Sequence, residues 1–260
     1  MLYDILYVES VTVEFDGFRA LEHVNLIVRK GELRFLIGPN GAGKTTLLDV
    51  ICGKVKPVEG RVQFANEVDL LAHDEHSVAR MGISRKFQAP SVFDSLTVQQ
   101  NMALAAEVPR GFLAAAFHRE GHAARRRIDE VLEMVGLADR RGGVAGTLAH
   151  GEKQWLELGM AIVQDPELLL VDEPVAGMTA GERQRTGEIL EAIARERSVV
   201  VVEHDMQFVS RFASLVTVLH AGRVICEGDF ATVKQDPTVI DVYLGREPGG
   251  AAAPGGGSAA

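Results

Sequence analysis

The run Gly38-Pro39-Asn40-Gly41-Ala42-Gly43-Lys44-Thr45 matches the pattern G-x-x-x-x-G-K-[ST], in which each residue type has a task at a polyphosphate. The glycines let backbone N–H groups wrap the phosphates, and a helix beginning at Lys44 adds its positive end. Lys44 reaches the β- and γ-phosphates, and the Thr45 hydroxyl can ligate Mg²⁺. A second cluster is Asp172-Glu173, which closes the apolar run Leu168-Leu169-Leu170-Val171. An acid at such a strand end holds Mg²⁺ through water, and a second beside it can orient and deprotonate an attacking water. Alone, the pair reads equally well as helix-capping acids; the phosphate loop tips the balance toward metal and water. A third run, Val199–Val202, ends at Glu203-His204.

These groups need a scaffold that brings strand ends together. Leu33–Ile37, Leu168–Val171 and Val199–Val202 are short and apolar throughout, as expected of parallel strands covered on both faces. Helical patterns separate them, so the fold class is α/β, and ligands then bind at the carboxyl ends of the strands. Nearer the N-terminus Val11, Val13 and Phe15 alternate with Thr12, Glu14 and Asp16, predicting a half-buried strand, and a second covers about Leu26–Val28. Helices are expected over Lys44–Cys52, from about His118 through Ile128, Val131, Leu132 and Val135, from Gly151 through Trp155, Leu158 and Ile162, and around Ile189, Leu190 and Ile193. The mostly helical stretch from Ala89 to Gln164 interrupts the α/β pattern as an inserted subdomain.

The 260-residue chain carries 27 Lys and Arg against 36 Asp and Glu, a formal charge of −9, which argues against nonspecific nucleic-acid or anionic-lipid binding. Cys52 and Cys226 sit in apolar runs; two cysteines make no disulfide framework, and core packing is expected for both. No apolar stretch approaches the ~18 to 20 residues of a membrane span, and the first ten residues lack the pattern of a signal peptide. A cytosolic protein is expected, with any membrane association supplied by a partner. Arg125-Arg126-Arg127 reads as a solvated helix face, and the Gly/Ala/Pro tail as flexible.

From about Tyr7 to Gly245 these residues resemble the ATP-binding cassette (ABC) family. The resemblance implies a P-loop NTPase core with an N-terminal antiparallel β part and an inserted α-helical subdomain. It divides the chain into one ATPase domain, 1–245, with 1–89 and 165–245 as nucleotide-binding core and 90–164 as helical subdomain, followed by the tail 246–260. It implies ATP and Mg²⁺ as ligands, with Thr46 joining the phosphate loop. Gln88 resembles the glutamine that senses Mg²⁺ and contacts the membrane partner; His204 resembles the histidine that touches the γ-phosphate. Phe15 matches the aromatic that stacks on adenine, although its place in the alternation also fits the core. Leu148-Ala149-His150-Gly151-Glu152 occupies the signature position, Leu-Ser-Gly-Gly-Gln in most members, which meets ATP on the opposite subunit of a head-to-tail dimer. Here His150 replaces a glycine, and Ala149 lacks the hydroxyl, which puts the hydrolysis rate in doubt more than nucleotide binding; Gly151 and the helix N-terminus can still donate. Val175-Ala176-Gly177-Met178 stands at the D-loop without its usual Asp.

One cassette with no fused membrane domain implies an importer subunit at the inner face of the membrane, working with a second cassette, permease subunits and, indirectly, an extracytoplasmic solute-binding protein. Gly38–Thr46, Arg85–Phe93, Glu173–Met178 and Val239–Gly245 resemble the branched-chain amino acid and urea uptake group. His150–Met160 and Ile83–Gln88 pull toward urea, with the branched-chain amino acid importer as the alternative. A different class, an ATP-dependent clamp without significant turnover, is motivated by Ala149. A soluble cassette of DNA repair or translation is disfavoured by the single cassette and the lack of a long coiled-coil insertion.

Overall fold

The computed structural model describes residues 4–86, 92–106 and 120–244. The chain opens with β1 (Asp4–Phe15) and β2 (Phe18–Arg29), a long antiparallel hairpin. Its turn, Asp16-Gly17, has positive φ at both residues, which an Asp-Gly pair tolerates and a tight hairpin turn requires. The expected strand at Leu26–Val28 is only the far end of β2. The alternation in β1 also breaks. The register shifts between Val8 and Val11, Ser10 has a φ of 49°, and Thr12 is buried alongside Val11 and Val13. A bulge is the physical reason, since one extra residue changes which side chains share a face. Phe15, by contrast, lies 47% exposed at the hairpin end, which removes the core reading for it.

Next comes β3 (Leu33–Ile37), the phosphate-loop segment, and α1 (Lys44–Ile51). Two further strands, β4 (Glu59–Phe64) and β5 (Val68–Asp69), complete a four-stranded antiparallel sheet in the order β2-β1-β4-β5. After α2 (Glu75–Arg80) and β6 (Ile83–Lys86) come three helices, α3 (Val98–Ala106), α4 (Glu120–Met134) and α5 (His150–Val163). They meet where Gly159 of α5 lies against Met102 of α3 and Val131 of α4. The expected helix start near His118 and the division at 89/90 fall outside the described residues.

The remaining elements are β7 (Leu168–Asp172), α6 (Ala180–Ala194), β8 (Ser198–Val202), α7 (Met206–Phe212), β9 (Leu215–His220), β10 (Arg223–Gly228), α8 (Phe230–Val233) and α9 (Pro237–Leu244). A six-stranded sheet runs β10-β9-β3-β8-β7-β6; every neighbouring pair is parallel except β10 with β9.

Side-chain alternation divides this sheet's residues between two cores. Leu36, Leu168, Leu170, Val200 and Val202 join a cluster with Leu47 and Leu48 of α1 and the inner face of the antiparallel sheet. Phe35, Ile37, Leu169, Val171, Val199 and Val201 join the other, with α3 to α7. Burial on both faces is why these strands read as unbroken apolar runs. Cys52 is in the first core as expected. Cys226 is only half-buried, on the edge strand β10, where one face has less to cover it. No described helix is long and apolar enough to cross a membrane.

Candidate nucleotide site

Because β3, β8 and β7 are adjacent and parallel, their carboxyl ends lie side by side. The sheet therefore brings Gly38, Glu203-His204 and Asp172-Glu173 to one edge. The phosphate loop is packed as tightly as its composition suggests. Gly43 has φ 101°, and a Cβ there would come within 2.6 Å of the Ala20 carbonyl oxygen and 2.7 Å of Leu21 Cδ2. No other residue type fits both the conformation and the space. This contact also seats the hairpin beside the loop, with Ala20 two residues along β2 from Phe18, the cross-strand partner of Phe15.

Lys44 is 7% exposed, and its Nζ donates to the carbonyls of Gly38 (2.7 Å) and Pro39 (3.0 Å). Burial lowers the ammonium's pKa, and the charges of Glu173 and Asp172 oppose that shift. Lysine and both carboxylates thus share one electrostatic environment. Asn40, Gly41 and Thr45 are exposed, Pro39 and Thr46 half-buried and Ala42 buried.

Glu173 takes a φ of 46°, uncommon for a residue with a Cβ and costing of order 1 to 3 kcal/mol. Its N–H donates to the Val202 carbonyl at 2.9 Å, pinning the bend to β8. The Oε1 of Glu173 lies 3.4 Å from His204 Nδ1, and the imidazole is 59% exposed, so His204 is no core histidine. Beneath it Glu203 is 1% exposed and accepts N–H bonds from His204 (2.9 Å), Asp205 (3.2 Å) and Val175 (3.3 Å). One buried carboxylate therefore ties the segment after Glu173 to the segment carrying His204. Burial raises its pKa, and the three N–H donors oppose the rise. Asp172, 4% exposed, is likewise raised by burial, with the Arg85 guanidinium opposing. Sequence reasoning named Glu203 only as a strand-end acid and gave Arg85 no role, because the partners Val175 and Asp172 lie 28 and 87 residues away.

No group of three or more His, Cys, Asp or Glu placed to hold a metal occurs among the described residues. That suits Mg²⁺, which keeps waters and takes phosphate oxygens plus one or two protein groups rather than a full protein cage. Thr45 and Asp172 carry oxygens of the kind such an ion takes. Gln88 lies outside the described residues.

The signature segment is placed differently. Ala149 caps α5 without a side-chain bond; its N–H donates to Glu152 Oε2 (2.9 Å), so half of a capping box is made and the missing hydroxyl leaves the other half unmade. The other oxygen of Glu152 accepts from Arg140. His150 Nε2 donates to the Ala176 carbonyl at 3.1 Å, joining the signature to the Val175–Met178 segment of the same chain. Among the described residues, the side-chain bonds of 149–152 run to Arg140, Ala176 and each other, away from the phosphate loop. Gly151 abuts the Glu182 carboxylate of α6.

Comparison with known proteins gives a consistent picture. A family model described as ABC transporter matches residues 21–176, and one described as branched-chain amino acid ATP-binding cassette transporter matches residues 223–248. The high-affinity branched-chain amino acid transport ATP-binding protein LivG of Salmonella typhimurium is 32% identical over 255 residues, covering 95% of this chain and 100% of the relative. The corresponding protein BraF of Pseudomonas aeruginosa is 32% identical over 251 residues, covering 93% and 98%. A crystal structure of an ATP-binding cassette of an ABC transporter in its ADP conformation superposes with a TM-score of 0.82 at 30% identity, covering 94% of this chain and 100% of that one. The dimeric structure of a bacterial ABC transporter cassette gives 0.74 at 26% identity, covering 86% and 98%.

Proposed function

This chain belongs to the ABC transporter ATPases of the branched-chain amino acid transport group, and from that premise we propose that it powers import of a branched-chain amino acid. The observation that carries the reading is the convergence of the phosphate loop, Asp172-Glu173 and His204 at three adjacent strand ends. Most of the catalytic work in such a site is positioning and charge stabilisation. Residues 38–46 cradle the phosphates, and Lys44 leaves the Gly38 and Pro39 carbonyls to hold the β- and γ-phosphates. Thr45 and Asp172, with Gln88, would hold Mg²⁺, whose charge would neutralise phosphate oxygens. Glu173 takes a proton from water as its oxygen attacks the γ-phosphorus and the bond to ADP breaks. His204, held by its backbone bond to Glu203 and 3.4 Å from Glu173, orients that carboxylate and contacts the γ-phosphate.

Residues Ala149, His150, Gly151 and Glu152 meet the nucleotide of a second cassette in a head-to-tail dimer. Two things support this: their hydrogen bonds lie away from the chain's own phosphate loop, and a structural neighbour is dimeric. The helical part, 90–164, is the side that permease subunits engage, with the ATPase at the inner membrane face and a solute-binding protein acting through them. Relatives named for branched-chain amino acids favour that solute over urea, which the sequence analysis put first. Urea remains the second reading, on Ile83–Gln88 and His150–Met160. Co-purification with membrane subunits, and stimulation of phosphate release by them, tests the proposal; a chain that turns over ATP fully and binds no membrane subunit contradicts it.

Phe15 and Ala149 give two separate checks. Because Phe15 is half exposed, Phe15→Ala is expected to leave the thermal midpoint unchanged and to weaken ATP binding. Stacking is worth roughly 1 to 3 kcal/mol per base, about 5- to 150-fold in Kd by calorimetric titration. Ala149→Ser does two things at once. It completes the cap of α5, raising stability by about 1 kcal/mol, and it restores a hydroxyl at the composite site. If that hydroxyl bonds the phosphate mainly in the transition state, turnover at saturating ATP rises roughly tenfold or more. A higher thermal midpoint with unchanged turnover would assign the hydroxyl to the cap alone.

A further inference from the structure

We propose that Arg85, held by Asp49, is a positioning residue that sets the orientation of the metal-binding carboxylate Asp172. The inference rests on the reading of Asp172 given above. Arg85 lies on β6, and its side chain is 5% exposed between two carboxylates on different elements. Nη1 donates to Asp49 Oδ1 at 2.6 Å, and Nη2 to Asp172 Oδ2 at 3.2 Å. Asp49 belongs to α1, the helix that rises directly out of the phosphate loop; Asp172 ends β7. The guanidinium thus connects the helix that follows the phosphate loop to the acid assigned to the metal ion.

Three physical points make this more than a buried ion pair. The first is geometry: the planar fork presents two donors at a fixed angle, so engaging Asp49 with one fixes where the other meets Asp172, which the point charge of a lysine cannot do. The second is restraint. Arg85 engages Oδ2, which limits how the Asp172 carboxylate can turn. The third is energy. Buried ion pairs are weak sources of stability, because desolvation offsets their attraction, so stability alone explains this arrangement poorly. Carboxylates that serve metals are themselves held by hydrogen bonds, and removing such a partner weakens metal affinity by about 10- to 100-fold.

The test uses the full chain and the substitutions Arg85→Lys, Asp49→Asn and Asp172→Asn. ATP affinity is first measured in EDTA, and Mg²⁺ is then titrated calorimetrically into the chain–ATP complex. Arg85→Lys keeps the charge and loses the fork; it is expected to leave metal-free ATP affinity unchanged and to weaken Mg²⁺ binding about tenfold or more. Asp49→Asn shifts Mg²⁺ affinity in the same direction by less, because the Arg85–Asp172 bond survives without its second anchor. Should Arg85→Lys fail to fold, the half-buried Asp49 position carries the test. Unchanged Mg²⁺ affinity in both variants, with a lowered thermal midpoint, would reduce the trio to a structural ion pair and overturn the inference. The Asp172→Asn control separates the two levels. If it too leaves Mg²⁺ affinity unchanged, the reading of Asp172 fails; if only it shifts, that reading stands and the role of Arg85 falls.

Discussion

Glu173→Gln is expected to lower phosphate release by ~10² to 10⁴-fold, the usual contribution of a general base, while ATP still binds. The amide is nearly isosteric with the carboxylate but cannot accept the proton of the attacking water. Nothing that binds phosphate is disturbed: Lys44 keeps its place, and the bend at residue 173 is held by a backbone bond to Val202 that the substitution leaves intact. With hydrolysis blocked, the ATP-loaded chain accumulates as a dimer, visible by size-exclusion chromatography. Turnover near that of the unsubstituted chain would remove Glu173 from the mechanism, and the unfavourable φ at this residue would need another explanation.

Lys44→Ala acts on the other half of the cycle. The ammonium is buried, and two carboxylates nearby favour its charged form, so it arrives at the phosphates as a cation already stripped of most water. A hydrogen bond to a charged group is worth about 1.5 to 3 kcal/mol, or roughly 10- to 150-fold in Kd for each one lost. Calorimetric titration of ATP is expected to show at least that weakening. The carbonyls of Gly38 and Pro39 also lose their donor, so a modest drop in thermal midpoint accompanies it. Unchanged affinity would mean that the nucleotide binds elsewhere.

What the sequence revealed, and what it hid, follows from the same physics. Leu168–Val171 and Val199–Val202 were legible because burial on both sheet faces forces every residue to be apolar, and their polar ends then stand out. The phosphate loop was legible because its backbone geometry admits few residue types. Thr12 was misplaced because the register shifts again between Val11 and Val13, where His23 of β2 has a φ of 48° and its N–H donates to the Thr12 hydroxyl, and a short alternating stretch carries no sign of this. The length of β2 was underestimated although Asp16-Gly17 marks a tight turn immediately before it. Arg85 stayed hidden because its partners lie 36 and 87 residues away, and a charge next to Lys86 reads as solvent-facing. Lys86 itself is buried against Glu157 of α5. His150, legible in the sequence only as a replacement for a glycine, donates from Nε2 to the Ala176 carbonyl, 26 residues away.

The central claim is that ATP hydrolysis at this site drives solute across a membrane, and uptake into vesicles tests it most directly. The chain is assembled with its permease subunits in proteoliposomes, with solute-binding protein on the opposite face and radiolabelled leucine and urea offered in parallel. The account predicts accumulation of leucine that requires ATP on the side of the ATPase and disappears with Glu173→Gln. Accumulation of urea alone would transfer the same machinery to the second solute reading. No ATP-dependent accumulation of either, by a complex that nevertheless hydrolyses ATP, would contradict the claim that this chain powers import of these solutes.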